Sequence, residues 1–273
     1  MKEEEILRQQ PFRTIFNSIL KIERVELLSS ETSFSGETFK VTSQTGRNYK
    51  LRYCKGLLKA RKIERNVKLF PNAFPRFYGR EGRYLLFDWI EGHTLSLEVS
   101  AKDCYRIGKL MGEIHAREET DTTQNADHFF KRILKNISFP EIFEQNILAK
   151  IQLKYRELKK KMKIDIVLEF DDIHQNNFIS DKMRIYFIDE EGIDYQIKGL
   201  GLAKPFLIKK WVKSKEQQEA FWKGYHEHHS SDYFDLDYQL FLTFVQCLRK
   251  IGINYNRGSD YSKEKEMILG MLQ

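Results

Sequence analysis

The chain has 273 residues, with 46 Lys plus Arg against 39 Asp plus Glu, and is 41% hydrophobic. That length suits one large domain or two lobes with a substantial core. The formal charge of +7 attracts anions without identifying one, and no apolar run approaches the ~20 residues of a membrane span. The start MKEEEILRQQ lacks the apolar centre of a secretory leader. Cys54, Cys104 and Cys247 are far apart and make no metal spacing, which favours a reduced, cytoplasmic setting.

From Ile22 the order reads strand, small-residue loop, strand, turn, strand, helix. Residues 27–41 read as a hairpin whose loop holds Ser33, Ser35 and Gly36, small residues that let backbone N–H groups approach an anion. With one glycine, the segment taken alone reads better as a plain polar hairpin. The strand Asn48–Cys54 alternates, setting Lys50 and Arg52 on one face and Tyr49, Leu51 and Tyr53 on the other. The helix expected over 57–70 carries a single carboxylate, Glu64. Strands over 76–79 and 84–88 follow, the second running into Trp89-Ile90-Glu91-Gly92. Apolar residues at helical spacing mark 106–116, where His115 reads as a packed or capping residue. Residues 118–127 read as a surface loop.

Leu168 to Gly192 carries the chemistry. Apolar runs end at Asp172 and at Asp189, and Asn177 lies in the turn between them. An aspartate, an amide five residues on and a second aspartate twelve beyond it offer one group to orient a hydroxyl and two hard oxygens for Mg²⁺, the set that phosphoryl transfer requires. Read alone, the three are also ordinary turn residues.

The segment Phe170-Asp171-Asp172-Ile173-His174-Gln175-Asn176-Asn177, a strand, then Ile188-Asp189-Glu190-Glu191 resembles the aminoglycoside phosphotransferase and choline kinase family, a branch of the protein-kinase-like fold. The family pattern is roughly His-Gly-Asp-Leu-His-Pro-x-Asn, a strand, then Ile-Asp-Phe/Trp-Glu. The resemblance extends to Asp88–Leu95, which matches the family hinge, to the helix ending at His115, and to Phe221-Trp222-Lys223-Gly224-Tyr225. It implies an α+β, two-lobed fold. A nucleotide-binding lobe over 1–90 would hold a small antiparallel sheet and one helix, and a larger, mainly helical lobe over 91–273 would hold the catalytic and substrate-binding parts.

The same resemblance implies site roles. Asp172 takes the catalytic position, and Asn177 and Asp189 those of the Mg²⁺ ligands. Matching Tyr-x-Leu-Arg selects Arg52 as the phosphate clamp, with Lys50 the runner-up and Glu64 the paired helix carboxylate. Asp88, Trp89 and Ile90 would meet the adenine edge of ATP or GTP. Two departures stand out: Phe170 where the family has His, and Glu190 where it has an aromatic. Residues 198–205 keep a glycine and Leu202-Ala203 but lack the acidic residue usual before them.

The implied activity is ATP-dependent transfer of a γ-phosphate to a hydroxyl of a small molecule such as a sugar, amino alcohol, glycolipid or antibiotic. The rival is a pseudokinase, a nucleotide-binding or structural module without turnover. Basic clusters at 55–68, 150–163 and 204–213 read as solvated helix faces in preference to an anionic glycolipid or membrane surface. Aromatics are not interleaved among them, so nucleic acid is not an expected partner. His226-Glu227-His228-His229 reads as solvated surface, since no distant Cys or His completes a metal set.

Overall fold

The computed structural model describes residues 6, 21–29, 36–95, 99–117, 125–170, 172–181, 183–208, 210–229 and 235–273. Ser33 and Ser35 lie outside the described residues. The rest divides into two compact units, bounded Met1–Ser96 with Gln175–Gly192, and Leu97–His174 with Ile193–Gln273.

The first unit is built on β1 (Ile22–Ser29), β2 (Gly36–Ser43), β3 (Asn48–Cys54), β4 (Phe77–Glu81) and β5 (Tyr84–Asp88). They form a five-stranded sheet in the order β1-β2-β3-β5-β4 with every neighbour antiparallel. The period of two in β3 has its expected consequence: Tyr49 and Leu51 enter a core with Phe39, Val41 and Leu86, and Lys50 and Arg52 take the opposite face. Helix α1 (Leu57–Leu69) buries Ala60, Ile63, Asn66 and Val67, a stripe at helical spacing. The unit is completed by β6 (His93–Thr94), β8 (Phe178–Ser180) and β9 (Ile185–Phe187), a small sheet in the order β6-β8-β9. Gly92 precedes it because a Cβ there would lie 2.6 Å from the Ser180 carbonyl oxygen.

The second unit contains β7 (Ile166–Phe170) paired antiparallel with β10 (Ile193–Ile197). Around them are α2 (Ala101–His115), α3 (Ala126–Ile137), α4 (Gln145–Lys159), α5 (Lys215–Tyr225), α6 (Leu236–Asn256) and α7 (Ser262–Met271). Helix α2 begins five residues before the sequence expectation because Ser100 caps it, its Oγ accepting from the Asp103 N–H at 3.0 Å. The core runs through Phe130, Tyr155, Phe241, Leu242, Phe244 and Leu248. This is the expected mixed architecture, an antiparallel N-terminal sheet and a helical C-terminal part.

Candidate functional site

In the first unit, the β8–β9 hairpin sets the geometry of the expected metal ligands. Phe178 pairs with Phe187, and one step outward the Ile188 N–H donates to the Asn177 carbonyl at 2.8 Å. The register therefore brings Asn177 opposite Ile188 and beside Asp189. A tight turn follows, closed by the Gly192 N–H donating to the Asp189 carbonyl at 2.9 Å. A Cβ on Gly192 would stand 3.0 Å from Asp189 Oδ2, so this glycine leaves the carboxylate its room. An amide oxygen and a carboxylate held this way form a hard-oxygen donor pair, the chemistry that suits Mg²⁺.

The residue after Asp189 is the centre of a buried ion network that sequence reasoning did not find. Glu190 is 0% exposed. Its Oε1 accepts from Lys50 Nζ at 2.6 Å, and its Oε2 from an Arg52 guanidinium N–H at 2.5 Å. The second arm of Arg52 donates to Glu191, whose other oxygen pairs with Lys59 at 2.6 Å. Lys50 also donates to the Ile188 carbonyl at 3.3 Å. Burial opposes the charge on Glu190, but Lys50 and Arg52 outweigh it and hold the carboxyl below the usual glutamate range.

This corrects the expected Arg52–Glu64 pair. Glu64 accepts from Lys68 at 2.7 Å and from Arg80 at 2.5 Å instead. The cause is the azimuth of α1. Its inward stripe places Asn66, not Glu64, against the Asp189–Glu191 segment, where Asn66 Nδ2 donates to the Glu190 carbonyl at 3.1 Å. Elsewhere in this unit, Asp88 closes β5, its carboxylate accepting from Tyr78 at 2.7 Å and Arg47 at 2.8 Å. The adjoining Trp89 ring is capped by Lys40 Nζ, 4.6 Å from its centroid. Trp89 and Ile90 are half-buried.

In the second unit, Asp172 follows β7 and is half-exposed. Its Oδ1 accepts from Lys204 Nζ at 2.8 Å. The loop is pinned by its own turn, the His174 N–H donating to the Asp172 carbonyl at 2.9 Å, and by a fully buried Ile173. Lys204 stands in the 198–205 segment, where a lysine and no acidic residue meets the loop. Behind the strand, buried Glu169 lies 2.9 Å from His115 Nε2 and accepts from the Gly199 N–H at 2.7 Å, while His115 Nδ1 bonds the Tyr225 hydroxyl at 2.9 Å. His115 is thus the packed residue that its position in α2 implies.

Two other features of this unit have a bearing on chemistry. His229 is buried, against the expectation of a solvated His226–His229 surface, because its ring packs on Tyr225 and His115. Among the described residues no group of three His, Cys, Asp or Glu side chains is placed to hold a metal ion, there or elsewhere. A cavity of about 660 Å³ is lined by Phe130, Tyr155, Lys131, Arg156, Lys159 and Asp127 among others. Asp127 is tied to Lys159 at 2.6 Å, so the cavity rim is cationic. All three cysteines are free and buried, and no described helix is long and apolar enough to cross a membrane.

No protein-family model and no curated protein matches the chain. Solved structures do. The choline kinase LicA from Streptococcus pneumoniae superposes with a TM-score of 0.68 at 17% identity, covering 98% of each chain. The spectinomycin phosphotransferase APH(9)-Ia, in complex with ADP and spectinomycin, gives 0.65 at 14% identity over 100% of this chain and 93% of its own. An ethanolamine kinase from Plasmodium vivax gives 0.64 at 15% identity over 99% and 87%. The chain therefore has the protein-kinase-like fold of the aminoglycoside phosphotransferase and choline kinase structures, the fold its motifs resemble.

Proposed function

We propose that this chain is a Mg²⁺- and ATP-dependent phosphotransferase that phosphorylates a hydroxyl of a small molecule. The observation that carries the reading is the β8–β9 register, which sets Asn177 beside Asp189 in the same unit as two cations fixed by the residue after that aspartate. The fold is shared with kinases named for choline and ethanolamine and with a spectinomycin phosphotransferase, which supports the same class of reaction.

The residue roles follow from charge. When bound, Mg²⁺ neutralises phosphate oxygens and holds them for in-line transfer. Asn177 and Asp189 would be its protein ligands. Arg52, with Lys50 beside it, faces the phosphates, and the backbone from Asp88 through Trp89 to Ile90 meets the nucleotide base. Asp172 orients the acceptor hydroxyl and takes its proton, while Lys204 holds the carboxylate in place. Phe170 in place of a histidine keeps the strand end apolar and leaves the Asp172 carboxylate intact.

The rival, a pseudokinase, draws on one observation: Glu190 and Glu191 already satisfy Arg52, as carboxylates would if no phosphate were to come. A thermal-shift titration with ATP and GTP, each with and without Mg²⁺, tests the nucleotide site that the phosphotransferase requires, and phosphate transfer to an acceptor then separates it from a nucleotide-binding module without turnover. For a phosphotransferase the melting temperature rises with Mg²⁺-nucleotide because the ligand binds only the folded chain. Asp189→Ala removes the Mg²⁺-dependent part of that rise. The absence of any rise with either nucleotide in the wild type leaves the pseudokinase or a purely structural module.

A further inference from the structure

We infer that Glu190 is the positioning residue of the phosphate clamp: one carboxylate, carried on the metal-binding segment, sets both Lys50 and Arg52 and replaces the helix glutamate that a kinase-like fold ordinarily supplies. The inference rests on the phosphotransferase reading above and adds to it which residue organises the nucleotide phosphates.

The geometry makes the case within a single unit. Lys50 and Arg52 are two residues apart on one face of β3, so their side chains run side by side. Glu190 meets both at once, Oε1 on Lys50 at 2.6 Å and Oε2 on Arg52 at 2.5 Å. A carboxylate with each oxygen engaged by a different cation fixes the spacing of the pair, as a one-to-one ion pair does not. Side-chain exposures of 0% for Glu190, 8% for Arg52 and 14% for Lys50 keep water from competing for these bonds.

Helix α1 supplies no carboxylate to the clamp; its one charge in the network is Lys59, which pairs with Glu191. Its only carboxylate, Glu64, is bound to Lys68 and Arg80. Its inward residue at this place is Asn66, which holds the Glu190 backbone by an uncharged hydrogen bond of 3.1 Å. The brace accordingly belongs to the segment that bears Asp189, one residue away. The clamp and the metal ligand are set by the same three residues, Asp189, Glu190 and Glu191.

The charge count suits a phosphate carried with its metal. Lys50, Arg52 and Lys59 contribute three positive charges, and Asp189, Glu190 and Glu191 three negative, so the network is balanced and a bound Mg²⁺ would supply the positive excess for an incoming anion. The nucleotide phosphates are the anion this network would receive.

The test compares two ligands on the full chain by titration calorimetry: Mg²⁺ with the non-hydrolysable ATP analogue AMP-PNP, and adenosine, which has no phosphate. The expected result for Glu190→Gln is Mg·AMP-PNP binding weakened about tenfold or more, a tenfold loss being ~1.4 kcal/mol, with adenosine unchanged. Glu64→Gln should alter neither. A purely structural Glu190 would weaken both ligands alike, and that result, or unchanged Mg·AMP-PNP binding, would overturn the inference. If Glu190→Gln does not fold, Glu190→Asp, which keeps the charge but withdraws it by one methylene, is read the same way. A wild type that binds neither ligand would instead refute the phosphotransferase reading, and this inference with it.

Discussion

Glu190 shows how much a single side chain can reorganise. Buried charge is tolerated only when paired, and removing one member of a buried pair commonly costs about 3–5 kcal/mol because the others stay behind uncompensated. Here the stranded groups would be Lys50 and one arm of Arg52. The candidate ligands were legible in the sequence because Asp172, Asn177 and Asp189 fall within eighteen residues, at strand ends and a turn. The brace was not, because the azimuth of α1 against β3 is a tertiary quantity: one helix step separates Ile63 in the core from Glu64 at the edge. Lys204 was hidden for a similar reason, thirty-two residues from the aspartate it holds.

A second buried group gives a pH prediction. Burial, with Lys198, His115 and His226 adding repulsion, pushes the His229 imidazole down from its usual 6.5 to about 4. Between those values the unfolded chain binds a proton that the folded chain refuses, so stability rises with pH through that window and levels off above about 6.5. Urea melts from pH 4 to pH 7 should show this slope in the wild type and a shallower one in His229→Gln. Equal slopes would mean that His229 is not held neutral.

At the scale of elements, the contact between α2 and α5 explains the Phe221–Tyr225 motif. A Cβ on Gly108 would overlap the Phe221 carbonyl oxygen, one on Gly112 the Tyr225 carbonyl oxygen, and one on Gly224 the Tyr105 carbonyl oxygen. Three glycines thus let two helix backbones touch, and the rings of Phe221 and Tyr225 are fully buried beside them. Because the obstacle is backbone, which cannot rotate away, Gly224→Ala should destabilise by about 1–3 kcal/mol or more. The shift of the urea midpoint measures it, and an unchanged midpoint would mean the helices can separate freely. The sequence named this motif but not its reason, which lies in a residue on another helix. Strands and helices themselves were readable where period and cap agree: β3 and β5 have the expected limits, while α2 gained its first turns from a Ser100 cap that periodicity does not register.

For the whole molecule, identity of 17% or less to solved kinases accompanies TM-scores of 0.64 to 0.68, so the fold has been kept while most side chains changed. Many of the basic residues behind the formal charge of +7 line helix faces. The central claim is phosphoryl transfer that depends on Asp172. Phosphorus NMR of the chain with Mg·ATP and a panel of hydroxylated acceptors, including choline, ethanolamine and spectinomycin as well as neutral and anionic sugars, follows the γ-phosphate directly. A new phosphate ester is expected with at least one acceptor in the wild type and none in Asp172→Asn, with Mg·ATP binding retained. Ester formation at a near-normal rate in Asp172→Asn would contradict that claim.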